Sequence, residues 1–230
     1  MTAVILQARL DSTRLPEKST LPLGSRPLIF RVMEALSHIP VQLRILACPH
    51  DCASAFAPLA QEAGFELYAG PKEDVLERFR LVIRKYNIER VIRATGDNPF
   101  VFIDAASAIY AEGLGLAADY SGYAGLPIGA GVEAVRASAL LRGADEATSL
   151  FDREHVCPYL YGHPEKFLLH RPLAPLRWQS PNARLTVDTK EDYERAKILY
   201  AALDRYNGTG ERHRGTAILE TYREIFPLSE

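Results

Sequence analysis

Short apolar runs alternate with longer amphipathic segments through the first half of the chain. Residues 3–8, 43–48, 66–68 and 90–94 are rich in β-branched and aliphatic side chains and read as buried strands. Between and after them, residues 27–37, 52–63, 73–86 and 104–112 predict helices. Within 73–86, Val75, Leu76, Phe79, Val82, Ile83 and Tyr86 recur at helical spacing and build one apolar face. Gly64 follows one predicted helix and Pro71 precedes another, as helix ends require. Strands that alternate with helices predict a parallel sheet joined by right-handed crossovers.

The alternation stops after Leu114. Residues 119–123 and 132–136 predict short strands, separated by a turn-rich stretch containing Gly122, Gly125, Pro127, Gly129 and Gly131. Helices are expected at 137–146, 152–162, 190–206 and 216–225, and strands at 166–170 and 183–187, with a proline-rich connection at 172–181. The expected fold class is α/β, a mixed, mostly parallel sheet flanked by helices. It is expected as one domain over residues 1–230, with an inserted region at about 122–171. Tyr120, Tyr123, Leu126, Ile128, Phe151, Tyr159 and Tyr161 crowd these irregular elements. Aromatic enrichment is a property of interface cores, so the expected state is a homodimer crossing through this region. The alternative is a local mini-core in a monomer.

Composition narrows the function classes. The chain has 230 residues, 47% hydrophobic and 24% charged, enough for one well-buried core. A net charge of −2 does not fit a nucleic-acid binder acting by bulk electrostatics. No apolar run is long enough to span a bilayer, and Arg9 and Asp11 interrupt the first one, so neither a membrane span nor a signal peptide is expected. Three cysteines are too few and too odd in number for a disulfide framework, and a cytoplasmic location is expected. Cys48 and Cys52 read as small apolar fillers rather than a metal pair, because no second pair with zinc spacing follows.

The first strand empties into a basic loop. Arg9, Arg14 and Lys18 fall within ten residues, interleaved with Ser12 and Thr13. A strand end carrying guanidiniums, hydroxyls and backbone N–H groups is a place for a polyphosphate, at the sheet edge where open α/β folds bind ligands. The loop matches neither the phosphate loop with its Gly-Lys-Ser/Thr ending nor the glycine fingerprint of dinucleotide folds. The plain alternative is a solvated basic loop.

Two aspartates stand where predicted strands stop: Asp97 after Thr95-Gly96, and Asp188 after Thr186-Val187. Each alone is satisfied as a turn or helix cap, and Thr189 with Asp192 fits a capping box. Together the two suit Mg²⁺, which takes one or two carboxylates plus phosphate oxygens and water. No nucleophile–base pair is readable. His155 reads equally as a ligand contact and as a packed helix-face histidine. Glu133 and the segment Arg153, Glu154, His155 are candidates for the side of the site facing a second substrate.

The ordered set of motifs resembles a known family. Gln7-Ala8-Arg9, Ser12-Thr13-Arg14-Leu15-Pro16, Lys18, Pro22-Leu23-Gly24 and Pro27-Leu28 begin it. Gly70 with Glu73-Asp74-Val75-Leu76-Glu77-Arg78-Phe79, then Thr95-Gly96-Asp97-Asn98-Pro99, continue it. Arg153-Glu154-His155-Val156 and Leu185-Thr186-Val187-Asp188-Thr189 with Glu191-Asp192 complete it. The chain is similar to nucleotidyltransferases that activate acidic sugars with CTP, and within them to the spore coat polysaccharide biosynthesis protein F group. That resemblance implies a glycosyltransferase-A-like fold. It implies that Gln7, Ala8, Arg9, Arg14 and Lys18 wrap the nucleotide, that Gly70, Asp74 and Arg78 lie beside the base, and that Thr95 and Gly96 border it. Asp97 and Asp188 would hold Mg²⁺. The expected reaction is Mg²⁺-dependent transfer of CMP from CTP to an acidic or modified sugar, with Arg9, Lys18, Asp97 and Asp188 carrying it. Two other classes remain open at the level of sequence: an idle nucleotide-binding partner, and a glycosyltransferase using a nucleotide-sugar donor. The second normally carries Asp-x-Asp, where this chain has Gly96-Asp97-Asn98.

Overall fold

A computed structural model describes residues 1–207 and 210–227. In chain order, strand β1 (Thr2–Gln7) is followed by a small hairpin of β2 (Pro22–Leu23) and β3 (Arg26–Pro27), then helix α1 (Leu28–Ser37). Next come β4 (Leu43–Pro49), α2 (Ala53–Glu62), β5 (Glu66–Gly70), α3 (Val75–Tyr86), β6 (Arg90–Thr95) and α4 (Ile103–Gly115). The second half holds β7 (Tyr120–Ser121), β8 (Glu133–Arg136), α5 (Ala137–Glu146), α6 (Leu150–His155), α7 (Pro158–Tyr161) and β9 (Leu169–His170). Helices α8 (Lys190–Ala202) and α9 (Gly215–Ile225) end the described chain.

One seven-stranded sheet has the order β5-β4-β1-β6-β8-β7-β9, and β8 runs against both of its neighbours. β1 lies at its centre, parallel to β4 on one side and β6 on the other. Its side chains alternate between two cores, as a strand period of two requires. Val4 and Leu6 face the layer of α1, α2, α4, α8 and α9, while Ala3 and Ile5 face that of α3 and α5. The chain leaves β1 toward β4 and returns beyond it at β6. A crevice therefore opens at the carboxyl ends of β1 and β6, the topological switch point of the sheet.

Three expected elements differ. The strand at 183–187 is an extended segment held by a single bridge, Ile128 to Arg184, rather than a ladder. The helix at 152–162 is two short helices. Val156 breaks it with φ 73°, burying its side chain in the core, and Pro158 restarts it at the first helical position. The helix at 190–206 tightens to a 3₁₀ turn at Leu203–Tyr206, where Arg212 takes the Tyr200 carbonyl at 3.1 Å. Much of the aromatic set in the inserted region is internal. Tyr120 and Tyr159 are buried beside α3 and α5, whereas Ile128 and Phe151 are exposed. Cys48, Cys52 and Cys157 are free and buried, and burial pushes the Cys48 thiol up to about 12.

Candidate active site

The crevice is built from two strand ends that nearly touch. The Gly96 N–H donates to the Gln7 carbonyl at 2.8 Å. A Cβ at Gly96 would lie 2.8 Å from the Ala8 Cβ and 2.9 Å from the Ile29 Cδ1, so any side chain there would separate β1 from β6. Beyond Ala8 the chain swings out as the basic loop and returns at a 3₁₀ turn, Lys18–Thr20. Buried Ser19 closes the neck of this loop by donating its hydroxyl to the Arg9 carbonyl at 2.9 Å.

Asp97 and Asp188 converge. The Val187 N–H donates to the Asp97 carbonyl at 2.8 Å, so one backbone bond brings two distant segments together. The Lys18 ammonium then joins the side chains: it lies 3.2 Å from Asp97 Oδ2 and 3.0 Å from Asp188 Oδ1, and donates to the Val187 carbonyl at 2.9 Å. Arg184 holds the other Asp188 oxygen at 2.8 Å, and the Arg14 guanidinium lies 3.4 Å from Asp188 Oδ1. The turn under Asp188 is fixed by Asp192, whose carboxylate accepts the N–H groups of Asp188 and Thr189 while Thr189 caps α8. Burial alone would raise the Asp192 pKa. Hydrogen bonds from Arg184 and from those two N–H groups outweigh it and hold the carboxyl below its ordinary range.

These groups floor a cleft of about 340 Å³, within the range of roughly 300–1,000 Å³ that small-molecule sites occupy. Six cations line it (Arg9, Arg14, Lys18, Lys72, Arg78 and Arg93) against three carboxylates (Asp97, Glu154 and Asp188), a lining suited to an anionic ligand. Arg9 reaches Glu154 at 3.6 Å and Asp11 at 3.9 Å. Arg78 is 2% exposed, and its stem packs under Gly70. One guanidinium nitrogen donates to the Pro71 carbonyl at 3.1 Å and its Nε is buried with no partner. Burial lowers its pKa.

Arg93 and Thr95 form the wall shared with a second hollow of about 230 Å³, whose lining includes Asn98, Tyr120, Tyr123 and Glu133. Arg93 pairs with Glu133 and donates to Gln7 Oε1 at 3.0 Å, and Tyr120 donates its hydroxyl to Glu133 at 2.9 Å. Burial would lower the Arg93 pKa, and the Glu133 charge beside it more than reverses this.

Gln7, Ala8, Arg9, Arg14, Lys18, Arg78, Thr95, Gly96, Asp97 and Asp188 thus meet at one cleft; Glu154 and His155, expected with Glu133 on the side of a second substrate, line this same cleft instead, because α6 ends beside the basic loop. Four expected residues do not line it. Gly70 packs beneath Arg78, and Glu133 belongs to the second hollow. Asp74 caps α3 and binds Arg153 at 2.6 Å, and Arg153 also donates to the carbonyls of Ala144 and Ala147 at the end of α5. That pair braces α3 against α5 and α6. Sequence reasoning missed Lys72 and Arg93. Lys72 follows the end of β5, as Arg9 follows β1 and Asp97 follows β6. Arg93 is a cation inside the apolar run Val91-Ile92-Arg93-Ala94, a position that demands a buried partner.

Among the described residues no cluster of three His, Cys, Asp or Glu side chains could hold a metal ion. The two carboxylates instead offer hard oxygen donors at one point, marked by the Lys18 ammonium as a stand-in cation. That donor set fits a cation which completes its shell with water and ligand phosphates. No described helix is long and apolar enough to cross a membrane.

Residues 3–219 match the family model described as Cytidylyltransferase. The chain is 35% identical over 204 residues to the spore coat polysaccharide biosynthesis protein SpsF of Bacillus subtilis, covering 85% of each. Among solved structures, it superposes on a cytidylyltransferase from Leptospira borgpetersenii with TM-score 0.86 and 23% identity, covering 97% of this chain and 94% of that one. It also superposes on a CMP:2-keto-3-deoxy-manno-octonic acid synthetase complexed with CTP, with TM-score 0.68 and 16% identity over 87% and 98% of the two chains. The sheet and its flanking helices are those of the nucleotide-diphospho-sugar transferase fold.

Proposed function

Because the chain belongs to the cytidylyltransferase family, we propose that its cleft transfers CMP from CTP to a hydroxyl of an acidic or modified sugar. The observation that carries this reading is the meeting of Asp97 and Asp188 on one ammonium at the floor of a basic cleft. In the reaction a sugar oxygen bonds to the α-phosphorus, the bond from that phosphorus to the bridging oxygen of the β-phosphate breaks, and pyrophosphate leaves. The hydroxyl proton passes to solvent. Positioning and electrostatic stabilisation dominate such a transfer.

Each residue has a part. Arg9 and Arg14, on the loop, bind the β- and γ-phosphates by charge-assisted hydrogen bonds. Arg78 directs its unpartnered Nε–H toward the acceptor edge of the base. Cytosine offers O2 and N3 there, whereas uracil carries a proton at N3. The Asn98 side-chain amide donates to the Thr95 hydroxyl at 2.7 Å, which leaves the Thr95 proton free for a ligand acceptor. The sugar occupies the second hollow, across the wall made by Arg93 and Thr95, with Glu133 held in place by Arg93 and Tyr120. Asp97 and Asp188 would hold Mg²⁺, which when bound supplies positive charge for the phosphate oxygens. The relative named for spore coat polysaccharide biosynthesis supports a surface glycan as the destination of the activated sugar.

The protein acts as a homodimer in this reading, with contacts from the exposed apolar groups Ile128, Leu150, Phe151 and Leu168 in or beside the inserted region. Light scattering at micromolar concentration checks it: twice 25.6 kDa is expected, and the single-chain mass rejects it. The catalytic reading is tested by incubating the protein with Mg²⁺, each nucleoside triphosphate and a panel of acidic and modified sugars. Pyrophosphate release that requires both CTP and a sugar is expected. Release independent of the sugar, or equal for all four triphosphates, rejects the assignment.

A further inference from the structure

Lys18 is expected to touch phosphate, yet its ammonium is fully engaged elsewhere. An ammonium has three donors. Here they meet Asp97 Oδ2, Asp188 Oδ1 and the Val187 carbonyl at 3.2, 3.0 and 2.9 Å. The Lys18 side chain is 14% exposed, against 28% and 18% for the two aspartates. Its base is anchored, because the next residue, Ser19, ties the loop neck to Arg9. The contact is therefore a formed cluster in which one ammonium offsets the mutual repulsion of two carboxylates, Asp188 being paired with Arg184 and Arg14 as well.

We propose that Lys18 is a displaceable internal counter-ion that couples metal binding to triphosphate binding. The inference rests on the reading of Asp97 and Asp188 as the metal-holding pair. Both carboxylates become available to a divalent cation only when the ammonium leaves. A partly buried ammonium leaves at low cost only when new acceptors replace the three it gives up. Triphosphate oxygens, entering over the same loop, are such acceptors. Metal alone must compete with Lys18, whereas metal arriving with triphosphate gives Lys18 somewhere to go. By linkage the effect is reciprocal: triphosphate tightens metal binding and metal tightens triphosphate binding by the same factor.

The test measures free Mn²⁺ by electron paramagnetic resonance over titrations of wild type, Lys18→Met and Lys18→Arg, with and without α,β-methylene-CTP. None of these needs turnover. Without nucleotide, Lys18→Met is expected to bind Mn²⁺ at least about fivefold more tightly than wild type, the lower end of ordinary coupling factors. Lys18→Arg, which keeps the charge, returns affinity toward wild type. With the analogue present, the advantage of Lys18→Met disappears. Circular dichroism melts confirm folding, and if Lys18→Met fails to fold, Lys18→Gln takes its place. Mn²⁺ binding by the neutral variant no tighter than by wild type, when the wild type does bind Mn²⁺ with the analogue, overturns the counter-ion role alone. No Mn²⁺ bound by any variant, even with the analogue, overturns the two-carboxylate metal reading and the inference with it.

Discussion

Two lysines in this molecule each sit between two carboxylates at nearly equal distances, and they do different work. Lys18 lies 3.2 and 3.0 Å from Asp97 and Asp188. Lys72, just beyond β5, lies 2.9 and 3.0 Å from Asp11 on the basic loop and Asp51 at the end of β4. Distance does not separate them; solvent does. The Lys72 side chain is 41% exposed, and water and salt screen its pairs. Lys18 is enclosed and has a backbone carbonyl as third acceptor. An ion pair read from distance alone would rank the Lys72 cluster first. Burial and the number of acceptors reverse that order.

The largest expected effect tests the enclosed cluster. Asp97→Asn and Asp188→Asn should each lower turnover at saturating CTP by roughly a thousandfold or more, the several kcal/mol that metal-held charge supplies. Pyrophosphate release measures it, and losses under tenfold would place this cluster on a par with the exposed one. Next is Arg9→Ala. Loss of a charge-assisted phosphate contact, about 1.5–3 kcal/mol, should weaken CTP by roughly ten- to a hundredfold and CMP hardly at all. Calorimetric titration of both nucleotides decides, and equal losses would move Arg9 away from the terminal phosphates.

Arg78→Met extends the contrast to a buried cation without a carboxylate partner. Preference for CTP over UTP should fall about tenfold, for the loss of one hydrogen bond to the base. Unchanged preference, measured as the ratio of kcat/KM values, would make Arg78 structural.

The smallest effect belongs to Lys72→Met, which should change CTP affinity by a few-fold at most and lower Tm only slightly at neutral pH. Raising salt should erase even that difference. The pH sign follows from the partners. Hydrogen bonds from Lys72 and Cys52 lower the Asp51 pKa below 3.8. The Asp51 contribution is therefore fully present above about pH 4 and lost as pH falls through the depressed value. Hydrogen bonds to Asp11 and Asp51 raise the Lys72 pKa, so its contribution persists at alkaline pH until that raised value is passed. A Tm difference between wild type and Lys72→Met that grows toward low pH would contradict this assignment.

The same contrast explains what the sequence made legible. The strand ends at Gln7 and Thr95 were readable, because a fully buried parallel strand must be a continuous apolar run and its end is where polar residues resume. Asp188 reaches the cleft, but not at the end of the strand that the sequence predicts before it. No ladder forms at 183–187. The segment is extended because the Ile128 carbonyl and the Asp97 carbonyl accept its N–H groups. Strands of two residues, such as β7 and β9, are too short to show a period. The break at Val156 is hidden because a valine with positive φ has no local signal; its burial in the core and its N–H bond to the Asp152 carbonyl at 2.9 Å hold it. Lys18 was legible as a cation of the site but not as a bridge, since its partners lie far along the chain and converge only when the sheet closes.

The Ser19–Arg9 hydrogen bond has a consequence for how this site can diversify. It ties the two ends of the basic loop to each other just beyond β1, so the loop is a closed module. Loop-closure entropy rises only slowly with length, about 0.6 kcal/mol for each doubling. Residues 10–18 can therefore be exchanged as a cassette, longer or shorter, without disturbing β1, although Arg14 and Lys18 within it hold the carboxylate pair. Any replacement must still deliver a lysine immediately before the pinning serine, or Asp97 and Asp188 lose the ammonium they share.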